Sequence, residues 1–188
     1  MSKAAHNSKN LIYIMGASGV GKDSLLHYAR NELVSQSRLV FAHRYITRPV
    51  DLNGENHIAL SKDEFEHRDQ AGCFAMTWGA HSNQYGIGIE IDRWLTNGLT
   101  VIVNGSRDYF GQAIEKYPEL KPILIVASKD TVRERLVKRA RETDDQIEQR
   151  LKRVRSVDYG IKNIVHTIDN NGSLAAAGKQ LCNHIRCR

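Results

Sequence analysis

Short β-prone apolar runs alternate along this chain with stretches in which apolar residues recur at helical spacing. Residues 10–15, NLIYIM, run into Gly16, and Leu25, Leu26, Ala29 and Leu33 then mark a helix over 22–34. The order is strand, glycine loop, helix. Further β-prone runs lie at 38–46, 100–104, 123–127 and 164–168, and helical patterns at 62–71, 89–97, 107–117, 129–139, 146–157 and from Ser173 onward. Such alternation predicts a parallel sheet. Ser61 with Glu64 three residues later is a capping-box pair, and Ser106 and Ser128 are candidate caps for the helices that follow them. Between Pro49 and Gly88 the pattern changes to loops, an alternating His57-Ile-Ala-Leu60 and a glycine-rich stretch, which predicts short strands in an inserted lobe.

Composition narrows the class. At 188 residues, 41% hydrophobic and 26% charged, the chain suits one globular domain, residues 1–188, with a single core. No apolar run approaches the roughly 20 residues that cross a bilayer. The five apolar residues at 11–15 are too few for a secretory signal, so a cytoplasmic protein with no membrane partner is expected. Cys73, Cys182 and Cys187 have neither CxxC nor zinc spacing and are expected to be free thiols. The net charge of +6 is concentrated: residues 133–155 hold nine bases against five acids. A polyanionic partner follows. Nucleic acid is one candidate, though no aromatic and basic stacking run is present; a phosphorylated small molecule fits equally well, and charge alone does not decide between them.

The loop supplies the chemistry. Gly16-Ala17-Ser18-Gly19-Val20-Gly21-Lys22 satisfies GxxxxGK between a strand and a helix, the context this phosphate-binding motif requires. Glycines let backbone N–H groups wrap a phosphate, the helix N-terminus adds its positive dipole end, and Lys22 reaches the outer phosphates of ATP. Where a hydroxyl usually reaches Mg²⁺, this chain has Asp23, then Ser24, both oxygen donors suited to that hard cation. The acid often found at the end of a neighbouring strand is replaced by Asn104, and Asp23 is expected to compensate for it.

GASGVGKDSL at 16–25, HRYITR at 43–48, ENHIALS at 55–61, NQYG at 83–86 and VNGSR at 103–107, in this order, resemble the ribose 1,5-bisphosphate phosphokinases of the guanylate-kinase-like group. The resemblance spans nearly the whole chain. It implies ATP-dependent phosphorylation of ribose 1,5-bisphosphate to 5-phosphoribosyl 1-diphosphate (PRPP) in phosphonate breakdown. It also implies a three-layer α/β P-loop fold with a core near 9–35, 98–135 and 160–188. An acceptor lobe would occupy 36–97 and a helical lid 136–157. Arg139, Arg141 and Arg150 fall where lid arginines steady a phosphoryl group in flight.

The residues agree with a phosphate acceptor. Arg44 and Arg48 flank Tyr45, and guanidinium groups grip phosphate oxygens in pairs. His57, Asn83, Tyr85 and Asn104 are candidates for the ribose hydroxyls or the far phosphate. No nucleophilic side chain is needed, because the acceptor phosphate is already ionised. Two alternatives stay open: a guanylate or other nucleoside monophosphate kinase, and a non-catalytic guanylate-kinase-like binding module. Guanylate kinases place an acid before the NxYG tyrosine and a hydroxyl after its glycine, where this chain has residues 75–80, AMTWGA, and Ile87. Binding modules lose the phosphate loop that is intact here. Monomer and homodimer are equally compatible with the sequence.

Overall fold

The computed structural model describes residues 8–50, 55–80, 82–139, 143–145, 147–148, 151 and 165–186. The apolar run at its start becomes strand β1 (Leu11–Gly16), buried over its first five residues, as befits a strand inside a parallel sheet. The remaining strands are β2 (Leu39–Phe41), β3 (Arg44–Ile46), β4 (Ile58–Ala59), β5 (Phe74–Ala80), β6 (Asn83–Gly88), β7 (Thr100–Asn104), β8 (Lys121–Val126) and β9 (His166–Asp169). The helices are α1 (Lys22–Glu32), α2 (Lys62–Gln70), α3 (Glu90–Thr96), α4 (Phe110–Lys116), α5 (Lys129–Arg139) and α6 (Leu174–Arg186). Five strands make one sheet in the order β2-β7-β1-β8-β9, and four make another, β4-β3-β6-β5.

Two compact units share the chain, one comprising Tyr13 and the residues before it with Gln36–Lys121, the other Ile14–Ser35 with Pro122 onward. In the first, β2 pairs in parallel with β7, Leu39 opposite Thr100. The continuous run expected at 38–46 is two strands, because the chain leaves the parallel sheet at Ala42 and re-pairs antiparallel with β6 from Arg44, opposite Ile87. The short strands expected between Pro49 and Gly88 belong to this second sheet. Its two faces differ. Tyr45 packs with Phe65 and Phe74 on one face, and Gly86 is required there because a Cβ would meet the Phe74 ring at 2.8 Å. Arg44, Ile46, Tyr85, Ile87 and Trp78 fall on the other face, since directly opposed residues of an antiparallel pair point the same way.

The helix starts correct two expectations. Ser61 caps α2 by accepting from Glu64 N at 3.1 Å, but the Glu64 carboxylate bonds Arg68 at 2.6 Å, so only half the capping box forms. Ser106 does not cap α4, whose first residue is Phe110 and whose cap is Tyr109. Its backbone is committed elsewhere: the buried Tyr13 hydroxyl donates to Ser106 O at 2.7 Å and accepts from Ser106 N at 2.9 Å. Gly105 beside it has no room for a side chain, a Cβ lying 2.0 Å from the Tyr13 ring. Burial pushes the Tyr13 phenol well above its usual pKa, so the hydroxyl keeps its proton. The loop after β7 is thereby pinned from β1.

In the second unit β8 pairs in parallel with β9, Ile123 opposite His166. Helix α6 packs on α1. It buries Ala177, Gly178, Leu181, Cys182 and Ile185, the stripe its spacing predicts. Gly178 admits the Tyr28 ring, which a Cβ would meet at 2.4 Å. Ser128 caps α5, accepting from Thr131 N at 3.1 Å, and Ser173 accepts from Ala176 N at 3.2 Å at the start of α6. Cys73 and Cys182 are free thiols; Cys187 lies outside the described residues.

Tyr13→Phe leaves both backbone groups of Ser106 without their hydroxyl partner. Urea unfolding is expected to show a loss of about 1–3 kcal/mol with an unchanged slope.

Candidate active site

The loop between β1 and α1 is held in the shape that its glycines allow. Gly19 and Gly21 have φ of +87° and +91°, a region closed to most side chains. Gly16 is pressed against β8, where a Cβ would meet Ile125 O at 2.5 Å. Gly21 caps α1 and contributes no side-chain hydrogen bond to its first turn. The orphan N–H groups of that turn, with the positive dipole end behind them, are what a phosphate binds. Lys22 Nζ donates to Gly16 O at 2.8 Å and Ala17 O at 3.2 Å, lying back across the loop. Val20 is buried, and Ala17 and Ser18 complete the turn. Asp23 and Ser24 are exposed in the first turn of α1. Two oxygen donors beside a phosphate loop fit Mg²⁺, which takes few protein ligands and shares the rest with phosphate and water.

A strap not foreseen in the sequence fixes this loop. Asn170, buried after β9, donates from Nδ2 to Val20 O at 2.8 Å. Arg135 on α5 donates from Nη1 to the same oxygen at 3.4 Å and from Nη2 to Asn170 O at 2.7 Å. The Asn170 amide also explains Gly21, since a Cβ there would lie 2.5 Å from Nδ2. Residues 169–172 are a turn as well: Asn171 N donates to Asp169 Oδ1 at 2.8 Å, and Asn171 Oδ1 accepts from Ser128 N at 2.6 Å.

The other unit gathers Arg44, Asn83, Tyr85 and Asn104. Arg44, Asn83 and Tyr85 share the face of the second sheet that carries Trp78. The Trp78 and Tyr85 rings stack at 5.7 Å, and the Arg44 guanidinium lies 5.1 Å from the Tyr85 ring centre. Glu55 closes the group. Its carboxylate takes Arg44 Nε at 2.5 Å and Arg44 Nη2, and its Oε1 also accepts from Asn104 Nδ2 at 3.1 Å. Glu55 opens the ENHIALS stretch, but an acid eleven residues from its arginine has no periodicity to betray the pair.

The other candidates are placed differently. Arg48 lies past β3, exposed, and among the described residues no carboxylate pairs with it. His57 is buried, its Nδ1 3.0 Å from Glu55 O and its Nε2 3.0 Å from Arg48 O, so each ring nitrogen faces a backbone carbonyl on one side of residues 51–54 and the protonated one donates. His43 pairs with Asn56 at 3.2 Å. Arg107 is half-buried, and that burial lowers its pKa from the usual guanidinium value. Arg139 ends α5, while Arg141 and Arg150 lie outside the described residues. Glu148 pairs with Arg133 of α5, and Lys152 is also outside the described residues. Among the described residues no three His, Cys, Asp or Glu side chains cluster as a metal site, and no helix is long and apolar enough to cross a membrane.

Curated proteins are similar to this chain over most of its length. The chain is 52% identical over 176 residues to the ribose 1,5-bisphosphate phosphokinase PhnN of Psychromonas ingrahamii, covering 94% of this chain and 89% of the relative. It is 50% identical over 175 residues to that of Desulfomicrobium baculatum, with 93% of each covered. With that of Thiobacillus denitrificans it shares 47% identity over 171 residues, 91% of this chain and 90% of the relative. No family model matches. Among solved structures, a guanylate kinase from Anaplasma phagocytophilum superposes with a TM-score of 0.66 at 14% identity, covering 94% of this chain and 84% of that one. That likeness establishes the guanylate-kinase-like α/β fold with its parallel central sheet.

Asn170→Ala removes one of two side-chain bonds to Val20 O. Calorimetric titration is expected to show ATP binding weakened about fivefold to tenfold, the loss of roughly one hydrogen bond, with the overall fold kept.

Proposed function

The chain belongs to the ribose 1,5-bisphosphate phosphokinases, and from that premise we propose how it moves the γ-phosphoryl group of ATP to the 1-phosphate of ribose 1,5-bisphosphate, giving ADP and PRPP. The bond from the γ-phosphorus to its bridging oxygen breaks, the electron pair leaves on ADP, and an oxygen of the 1-phosphate takes its place. The acceptor oxygen is already ionised, so no general base is needed.

The residues have separate tasks. The loop from Gly16 to Lys22 holds the ATP phosphates through backbone N–H groups, and Lys22 gives up its carbonyl partners to reach the outer two. Asp23 and Ser24 would hold Mg²⁺, which neutralises phosphate charge when bound. Arg48 and the Arg44 face hold the acceptor, Tyr85 and Asn83 bordering it. Arg139, Arg141 and Arg150 stabilise the charge that spreads over the phosphoryl oxygens during transfer and exclude water as the lid closes. The substrate is a small phosphorylated sugar, and neither nucleic acid nor membrane has a part.

What favours a sugar over a nucleotide acceptor is the lobe face itself. Where guanylate kinases place an acid and a hydroxyl, this chain has residues 75–80, AMTWGA, and Ile87. Glu55, Asn104 and Arg44 are polar groups on the scale of a pentose. A site without base-reading groups gives guanine little reason to bind.

A coupled assay with ATP and either ribose 1,5-bisphosphate or GMP tests this directly. Turnover of the sugar at least about 100-fold above that of GMP is expected; equal or greater turnover of GMP would replace the assignment. Lys22→Ala should lower kcat about 100-fold or more, in line with the loss of one fixed charge at the transferring group. Asp23→Asn should raise the Mg²⁺ concentration needed for half-maximal rate several-fold, and an unchanged requirement would remove Asp23 from the metal.

A further inference from the structure

Resting on that activity, the geometry points to Glu55 as the residue that reads the ribose hydroxyl groups, with Arg44 as its positioning partner and Arg48 as the arginine that takes acceptor phosphate. The two arginines of the β3 segment differ in what their charge already meets. Arg44 is buried to 13% side-chain exposure and its fork is spent on Glu55, itself 10% exposed. A phosphate bound at that fork would have to displace a buried carboxylate or sit beside it. Either costs more than binding at a cation with an open charge. Arg48 is exposed and faces no carboxylate among the described residues.

A buried carboxylate near the place where a bisphosphate binds needs a compensating function, because it repels the ligand's charge. Hydroxyl groups supply one. They are donors, and a carboxylate is the strongest neutral-pH acceptor a side chain offers. Glu55 has about four lone-pair positions. Among the described residues three are used: Oε1 takes Arg44 Nε and Asn104 Nδ2, and Oε2 takes Arg44 Nη2. The fourth, on Oε2, is left for a hydroxyl hydrogen. Asn104 and Arg44 hold the carboxylate from two sides, and His57 fixes its backbone by bonding Glu55 O at 3.0 Å. The acceptor is therefore aimed before the sugar arrives, which keeps the entropic cost of binding low.

The test compares kcat/KM of the full chain for ribose 1,5-bisphosphate with that for its 2-deoxy and 3-deoxy analogues. Wild type, Glu55→Gln and the double variant Arg44→Met/Glu55→Leu are each measured, alongside ATP affinity. The double variant covers the case in which Glu55→Gln strands the Arg44 charge and fails to fold, since a buried ion pair is often replaced by apolar side chains without loss of stability. Wild type is expected to favour the parent sugar over at least one deoxy analogue by about 10- to 100-fold, as loss of a hydrogen bond to a charged group predicts. In the variants that preference should fall to within about threefold while ATP affinity holds. A wild type indifferent to both deoxy sugars overturns the inference. So do variants that slow equally on parent and analogue, the signature of a structural role. A wild type inactive on ribose 1,5-bisphosphate but active on a nucleotide would overturn the proposed activity, and this inference with it.

Discussion

Like charges repel, and a kinase whose acceptor is itself a phosphate meets that repulsion at its worst. Two unit charges 4 Å apart interact by about 1 kcal/mol in water and about 4 kcal/mol near a protein surface. A triphosphate and a sugar bisphosphate bring several charges each. Cations and dipoles fixed in advance have to offset this, because side chains ordered only on binding would lose much of their contribution to entropy. The loop before α1 meets the requirement with backbone: glycines at positive φ, a helix start without a side-chain cap, and the Asn170 and Arg135 strap on Val20 O. That rigid arrangement costs little further ordering when phosphate arrives.

The acceptor side uses charge more sparingly. A lobe that presented every arginine uncompensated would bind any polyanion, including nucleotides and inorganic phosphate. Pairing Arg44 with Glu55 removes one net charge and replaces it with directional acceptors, while the aromatic pair Trp78 and Tyr85 fixes the neighbouring surface. Under the proposed roles, specificity comes from hydrogen-bond geometry, with affinity left to the phosphates. The second sheet makes this possible by dividing its faces, Tyr45, Phe65 and Phe74 forming the apolar side and Arg44, Tyr85 and Trp78 the other.

Much of this was legible in the chain. The glycine loop announced itself because its function depends on spacing, and GxxxxGK between a strand and a helix has few other uses. The strands expected at 100–104 and 123–127 were plain from continuous apolar runs, and β7 and β8 lie there. What escaped depended on contacts between distant residues. Nothing near residues 38–46 shows that one β-prone run changes sheets at Ala42, since both halves have the same propensity. Ser106 has the composition of a helix cap, but Tyr13, 93 positions away, takes its backbone. Glu55 and Asn170 are polar residues whose partners lie eleven and 150 positions off, so neither contact shows in the local sequence.

Where the phosphoryl group lands decides the account most directly. ³¹P nuclear magnetic resonance of the reaction with ATP and ribose 1,5-bisphosphate should show two mutually coupled diphosphate resonances on the sugar, together with ADP and an unchanged 5-phosphate. A new phosphomonoester on a ribose hydroxyl, or inorganic phosphate alone, would contradict a protein built to join one phosphate to another.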